Sequence, residues 1–176
     1  MASGAAAPPP LTLLVTHNAD GLLMAMLGPI CLALWQTKPT PERFAVQRRQ
    51  LHAAIKREPG KLAFLCVVSA QAEPPEDAER KASADMISSQ GDNLLGVACV
   101  IEGMGFRAAI TRTVLTGVML LIRSPTPLKL FDSVRHASPF LARCVKRPSL
   151  FELDAEFERA RALAIPASSA SGAPPR

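Results

Sequence analysis

The segments Lys61–Ser69 (KLAFLCVVS) and Asn93–Glu102 (NLLGVACVIE) decide the fold of this chain of 176 residues. Each has the length of a β-strand, and together they are rich in Val, Leu and Cys. Their hydrophobicity is continuous rather than alternating, which indicates that both faces of each strand are covered. Each run is followed by a helical pattern, so the two strands are predicted to lie parallel in the buried centre of an α/β sheet.

The remaining sequence predicts a domain that opens with a hairpin-like pair of strands. The first strand is Leu11–His17, and the second is Leu22–Trp35, which we expect to be bent or broken at Gly28 and Pro29 because proline cannot donate to a strand ladder. The predicted order is ββαβαβαβα plus a C-terminal helix, which gives a mostly parallel sheet of four to five strands. The other predicted elements are a helix from Thr40 to Arg57, a helix from near Pro75 to Gly91 with Ala78, Ala82 and Met86 as a thin inner face, a third helix over Phe106–Arg123, a strand at Leu128–Phe131 and a short helix over Ser133–Leu141.

The distribution of residue types predicts one domain with two flexible ends. Residues 1–10 are rich in Ala and Pro, and residues 167–176 in Ala, Ser and Pro, so neither end buries enough apolar surface to offset the entropy of ordering. We expect residues 11–147 to form the α/β domain. Residues 148–166 are expected to form an amphipathic C-terminal helix. The capping-box pattern Ser-Leu-Phe-Glu marks its start, and apolar residues at helical spacing form a stripe on one side.

The sequence does not favour a membrane-spanning, secreted or metal-binding protein. The longest uncharged apolar stretch, Leu22–Trp35, is too short to span a bilayer as a helix, so no membrane span is predicted. The N-terminal ten residues lack the basic start and apolar centre of a secretory signal. None of the four cysteines forms a C-x-x-C pair, so we expect core thiols in a reducing cytoplasm and no metal site or cofactor.

The order of elements resembles the STAS domain, the fold of anti-sigma-factor antagonists, over about residues 11–141. The resemblance rests on the opening strand pair, the helix–strand repeats with a hydrophobic third helix, and the strand end Val100-Ile101-Glu102-Gly103. It implies a small regulator that binds a protein partner. In the phosphorylated members of that family, the strand before the second helix runs into an acidic turn with a phosphoacceptor hydroxyl. Here only Ser69 offers a hydroxyl and the acidic turn is missing, so phosphoregulation is not carried over.

A glycine-containing turn is the best local candidate for a ligand site. The sequence Gly103-Met104-Gly105-Phe106-Arg107 joins a buried strand to a helix, at the strand ends where ligands of α/β sheets usually bind. Free N–H groups at the helix start, together with Arg107, would suit an anion such as a phosphate, a nucleotide or a lipid headgroup. The third glycine of G-x-G-x-x-G is missing, since Ala108 stands in its place. A tight turn that needs glycine geometry is the competing interpretation.

A partner surface is the second kind of candidate. Arg48, Arg49, His52 and Lys56 share one side of the first predicted helix. This side suits an acidic protein at least as well as nucleic acid, because the chain has one Trp and no Tyr for stacking on bases. An ordinary solvent-exposed helix face with no partner is the competing interpretation. The apolar stripe of the C-terminal helix adds two further candidates for partner contact, Leu153 and Phe157.

No catalytic pattern is present in the sequence. It contains no G-x-x-x-x-G-K-[ST] loop and no G-x-S-x-G elbow, and its three histidines lie far apart. We therefore predict a non-catalytic regulatory or scaffold module that acts through protein–protein contact. Anion binding by the turn from Gly103 to Arg107 is the alternative. The apolar surplus of the third predicted helix fits either burial beneath the C-terminal helix or contact between two copies of the chain.

Overall fold

The computed structural model describes residues 10–90, 93–105, 109–110, 112–113, 116–117, 125–147 and 150–165. Its strands are β1 (Leu13–Ala19), β2 (Leu22–Leu27), β3 (Ile30–Trp35), β4 (Leu62–Val68), β5 (Leu94–Ile101) and β6 (Leu128–Phe131). Its helices are α1 (Pro41–Arg57), α2 (Asp77–Gln90), α3 (Val134–Cys144) and α4 (Leu153–Leu163). Residues 109–110, 112–113 and 116–117 are helical. The rest of the predicted third helix, residues 1–9 of the N-terminal tail and the whole C-terminal tail lie outside the described residues.

The six strands form one sheet in the order β1-β2-β3-β4-β5-β6. The pairs β1–β2 and β2–β3 are antiparallel, whereas β3–β4, β4–β5 and β5–β6 are parallel. The two apolar runs quoted from the sequence become β4 and β5, which are neighbours at the centre of the parallel part. The predicted α/β class with a mostly parallel sheet and an opening hairpin is confirmed.

The number of strands differs from the predicted four to five. The segment predicted as one bent strand, Leu22–Trp35, forms two antiparallel strands, in which Leu27 pairs with Ile30 across a two-residue turn. Gly28 has φ +57° and Pro29 fixes a negative φ, which together match a tight hairpin turn of the II′ kind. The physical reason is that a glycine–proline pair is compatible both with a break in one strand and with a turn between two strands. Which of these forms depends on the strand with which each half pairs.

The connections determine which face of the sheet each helix covers. The parallel strands β3, β4 and β5 follow one another across the sheet in the same direction. Because the connections between parallel strands are right-handed, α1 and α2 lie on the same face of the sheet. We call this the α1/α2 face; its core includes Met24, Leu51 and Phe64. The opposite α3/α4 face holds a second and larger cluster. Both sides of β4 and β5 are therefore buried, as their continuous hydrophobicity predicts.

Local sequence signals set the ends of α1. Thr40 is the N-cap, and its hydroxyl accepts a hydrogen bond from the Arg43 N–H at 3.4 Å. Pro41 occupies the first turn, where its missing N–H costs nothing. The helix ends before Gly60, whose φ is +65°. The predicted start of the helix at Thr40 is confirmed.

The C-terminal helix α4 packs onto the domain as part of its core. Leu153 and Phe157 are 0% and 2% exposed, so neither is available as the partner surface that the sequence suggested. The reason is that their stripe packs against β1, β2 and α3 rather than facing solvent. At the end of the helix, Asn18 donates to the Leu163 carbonyl at 2.7 Å and accepts from the Ile165 N–H at 2.8 Å. None of the described helices is both long and apolar enough to cross a bilayer.

Candidate functional site

The carboxyl ends of the parallel strands share one edge of the sheet, where the predicted glycine turn follows β5. Gly103 and Gly105 have φ values of +91° and +85°, a region that favours glycine. A Cβ on Gly103 would lie 2.9 Å from the Cβ of Ala70, so this glycine also allows close approach to the turn after β4. Phe106 and Arg107 lie outside the described residues. The glycines are thus explained by backbone geometry, and anion binding by this turn stays a prediction.

Two arginines, one in the helical segment after β5 and one in α4, bind polar groups around this turn. The guanidinium of Arg112 donates to the carbonyls of Ile101 and Gly103, both at 3.3 Å. Arg161 of α4 makes a two-pronged ion pair with Glu102, with one N···O distance of 2.8 Å. The hydrogen bond to Glu102 is the main reason why the pKa of Arg161 is raised. These contacts hold α4 and the helical segment after β5 to the strand end.

Ser69 sits where β4 ends, and it is only 5% exposed. Its N–H donates to the Trp35 carbonyl at 2.9 Å, and its own carbonyl accepts from the Ala72 N–H at 3.0 Å. The hydroxyl is buried and has no hydrogen-bond partner among the described residues. A buried hydroxyl in a closed turn is a poor target for a modifying enzyme, which agrees with leaving phosphoregulation out.

A polar cluster that the sequence reasoning missed follows β6. The imidazole Nδ1 of His136 lies 2.5 Å from Asp132 Oδ1, and the Ser133 hydroxyl lies 3.2 Å from the same oxygen. The contact with His136 is the largest cause of the lowered pKa of Asp132. Ser133 also accepts from the His136 N–H at 3.2 Å as the N-cap of α3. Because the Ser133 hydroxyl bonds to the carboxylate and not to the imidazole, the three groups cap a helix and do not form a nucleophilic triad.

The predicted basic surface on α1 is exposed. We use this name for Arg48, Arg49, His52 and Lys56, all of which are exposed side chains. None of the four takes part in an ion pair with another described residue. The positive charges of Arg48, Arg49 and Lys56 are therefore presented to solvent without an ion-pair partner among the described residues.

A groove separates α1 from α2 beside this basic surface. It is a cavity of about 170 Å³ whose walls include Phe44 and Met86, with Arg48 at its rim. Three small side chains, Ala45, Ala78 and Ala82, leave the space open. Glu79 also lines the groove; it is 8% exposed, and its Oε2 has no hydrogen-bond partner among the described residues.

A second cavity lies between Phe44 and the sheet. This inner cavity has a volume of about 40 Å³, and the Phe44 side chain lines both it and the groove. The Phe44 ring packs against Trp35, with ring centroids 5.1 Å apart. Gln47 also lines the inner cavity and is 2% exposed, and its Oε1 has no hydrogen-bond partner among the described residues. The other lining residues are Pro39, Phe64, Cys66, Val68, Glu73, Pro75, Arg80, Ser83, Ile87 and Cys99.

Three of the cysteines, Cys31, Cys66 and Cys99, lie on strands, whereas Cys144 is the last residue of α3, and all four are free thiols. Cys66 and Cys99 are register partners on β4 and β5. Contact with Cys99, followed by burial, raises the pKa of Cys66 well above its usual value. Burial raises the pKa of Cys31 to about 12. Among the described residues, no group of three His, Cys, Asp or Glu side chains is arranged to hold a metal ion.

No family model matches this chain, and no curated protein does. Among solved structures, the chain is similar to an uncharacterized protein of the DUF3478 family from Shewanella loihica, which is described as having a SpoIIAA-like fold. The two share 14% identity with a TM-score of 0.46, over 78% of this chain and 99% of the other. SpoIIAA-like is the STAS-like fold that the sequence resembles. A similarity this distant carries no argument about function.

Proposed function

We propose that this protein is a non-catalytic binding module that docks an acidic amphipathic helix of a partner protein against α1 and α2. The observation that carries the proposal is the basic surface beside an open apolar groove. Arg48 belongs to both features, since it lines the groove and is exposed to solvent. The four free thiols support a reducing compartment such as the cytoplasm.

Charge supports an acidic partner. The basic surface has no ion-pair partners among the described residues, so an incoming carboxylate does not have to break an existing pair. Several like charges on one side of a helix steer an oppositely charged partner and fix its orientation, although each exposed pair adds little affinity.

Shape supports a helix with an apolar stripe. The groove runs between two helices and offers the Phe44 ring and the flexible Met86 side chain as contact surface. An amphipathic helix laid in such a groove buries side chains spaced at i, i+4 and i+7.

The proposal is tested with a labelled synthetic helix that carries Leu at i, i+4 and i+7 and Glu on both flanks. Fluorescence anisotropy should show saturable binding to the full chain, and affinity should fall as salt is raised. Two matched peptides serve as controls, one with Lys in place of Glu and one with Ser in place of Leu. Both should bind at least about tenfold more weakly.

Matched protein variants locate the binding surface. Arg48→Glu combined with Arg49→Glu should weaken binding of the acidic helix at least about tenfold, through repulsion. Arg135→Glu combined with Arg143→Glu makes the same charge change at exposed positions of α3 and should leave affinity unchanged. Equal loss in the two double variants would refute the proposed surface. Equally tight binding of a DNA duplex would show recognition of charge alone and would also refute it.

A further inference from the structure

We infer that the inner cavity is a binding site for a small neutral aromatic molecule that carries one O–H or N–H donor, of the size of phenol or indole. This inference goes beyond helix docking, because it uses the residues beneath Phe44 and not the basic surface. Three features of the cavity support it: a buried acceptor without a partner among the described residues, an apolar lining, and an aromatic side chain, Phe44, that lines both the inner cavity and the open groove.

The unpaired acceptor is the amide oxygen of Gln47. This side chain is 2% exposed, and its Nε2 donates a long hydrogen bond to the Met86 sulfur at 3.8 Å. Its Oε1 has no hydrogen-bond partner in the described structure. A buried acceptor that has lost water and gained no donor is unfavourable, so a ligand that donates to it is favoured over one that does not.

The lining favours a neutral aromatic body. Trp35, Phe64 and Ile87 provide apolar contact around the cavity. The floor includes the Cys66 thiol, which stays protonated because contact with Cys99 and burial raise its pKa. Glu73 and Arg80, which also line the cavity, carry opposite charges, so the lining gives no net preference for an ionic ligand.

Phe44 provides the way in. Its side chain is half-buried and forms the wall between the inner cavity of about 40 Å³ and the groove of about 170 Å³. The groove is open space into which the ring can rotate. An aromatic ligand would then take the place of the Phe44 ring against Trp35, within reach of the Gln47 amide. The inner cavity alone is too small for such a ligand, so this rotation is part of the inference.

The experiment titrates the full ¹⁵N-labelled chain with phenol and indole, and with toluene and indene as controls of similar shape that lack the donor. Phenol and indole should bind saturably, with chemical-shift changes confined to residues around Phe44, Gln47 and Ile87. The Trp35 indole signal should move as well. Toluene and indene should bind about tenfold more weakly than their donor-bearing counterparts.

Three variants separate the inference from its rivals. Gln47→Met removes the acceptor but keeps a similar side-chain length. It should lower the affinity for phenol to that for toluene, whereas the affinity for toluene should stay within about twofold of its wild-type value. Ser83→Leu fills the cavity from a half-buried position of α2 and should weaken all four compounds. Arg49→Glu with Lys56→Glu changes the basic surface at two residues that line neither the groove nor the inner cavity and should leave phenol binding unchanged, which keeps this test independent of helix docking. Absence of saturable phenol and indole binding, shifts located elsewhere, or equal affinities for phenol and toluene would each overturn the inference.

Discussion

Each face of the sheet is covered by two described helices, but the quality of packing differs between the faces. On the α3/α4 face, Leu141, Leu153 and Phe157 are at most 2% exposed and belong to one continuous cluster. The surface pits beside Pro139 on that side are lined by helix and loop residues and do not reach the strands. On the α1/α2 face, a groove lies between the two helices, and a small inner cavity lies between Phe44 and the strands, beside an otherwise packed cluster.

Polar groups follow the same division only in part. On the α3/α4 face, Arg161 pairs with Glu102 and lies 4.6 Å from the centroid of the Phe157 ring, although its buried Nε has no hydrogen-bond partner among the described residues. On the α1/α2 face, Gln47 and Glu79 each leave an oxygen without a partner among the described residues. An unpaired buried polar group costs about 1–3 kcal/mol. The comparison indicates that one face stabilises the fold while the other gives up stability and keeps space for binding.

The largest expected effect comes from truncating one aromatic ring on each face. Phe157→Ala should lower the free energy of unfolding by about 3–5 kcal/mol, because it opens a cavity in a fully packed cluster. Phe44→Ala should cost only about 1–2 kcal/mol, because its ring is half-buried between two existing cavities. Urea denaturation monitored by far-UV circular dichroism measures both. Equal costs would contradict the proposed difference in packing.

The next effect is the coupling between α4 and the strand end. A double-mutant cycle with Glu102→Gln and Arg161→Met should give a coupling energy of about 1–2 kcal/mol, since the pair is two-pronged and partly buried. The pair Arg159–Glu156, within α4, is the control; its Arg159 side chain is 69% exposed although Glu156 is only 14% exposed, and it should couple by about 0.3–0.5 kcal/mol. A value for Glu102–Arg161 no larger than the control would mean that apolar packing alone holds α4 in place.

The sequence was sufficient for the parts of the fold that depend on local patterns. Continuous apolar runs predicted β4 and β5, and the signals Thr40 and Pro41 predicted the start of α1. The strand count failed at Gly28 and Pro29, because a break and a reversal have the same local composition. Only the pairing of Leu27 with Ile30 distinguishes them.

The candidate sites were less predictable because they depend on packing between helices. The basic surface follows from helical spacing, and the structure confirms its exposure. Ala78 and Ala82 were predicted to face the sheet, yet both are exposed and line the groove, while Glu79 and Ile87 point inward. The relevant quantity is the rotation of α2 about its axis. A helix with so few large apolar residues determines that rotation only weakly from its sequence.

A smaller and opposite effect is expected from removing the unpaired amide on the α1/α2 face. Gln47→Met should raise the free energy of unfolding by about 1 kcal/mol, because an apolar side chain of similar length removes the unsatisfied oxygen. Gln50→Met changes the same residue type on the same helix at a partly exposed position and should stay within about 0.5 kcal/mol. Destabilisation by Gln47→Met would show that the amide oxygen has a partner and that this face is better satisfied than we infer.

The smallest expected effect is a difference in thiol labelling under native conditions. This measurement tests whether the α1/α2 face opens locally. With its pKa raised to about 12, Cys31 is a thiolate in only about one molecule in ten thousand at pH 8, and it should react with N-ethylmaleimide at the rate of global unfolding. Cys66 also has a raised pKa, but it lines the inner cavity, so rotation of Phe44 should expose it without unfolding. Pulse labelling at low urea, read by mass spectrometry, should therefore modify Cys66 before Cys31. Simultaneous labelling would mean that the inner cavity opens only when the whole domain unfolds, and the contrast between the two faces would then be one of shape and not of local stability.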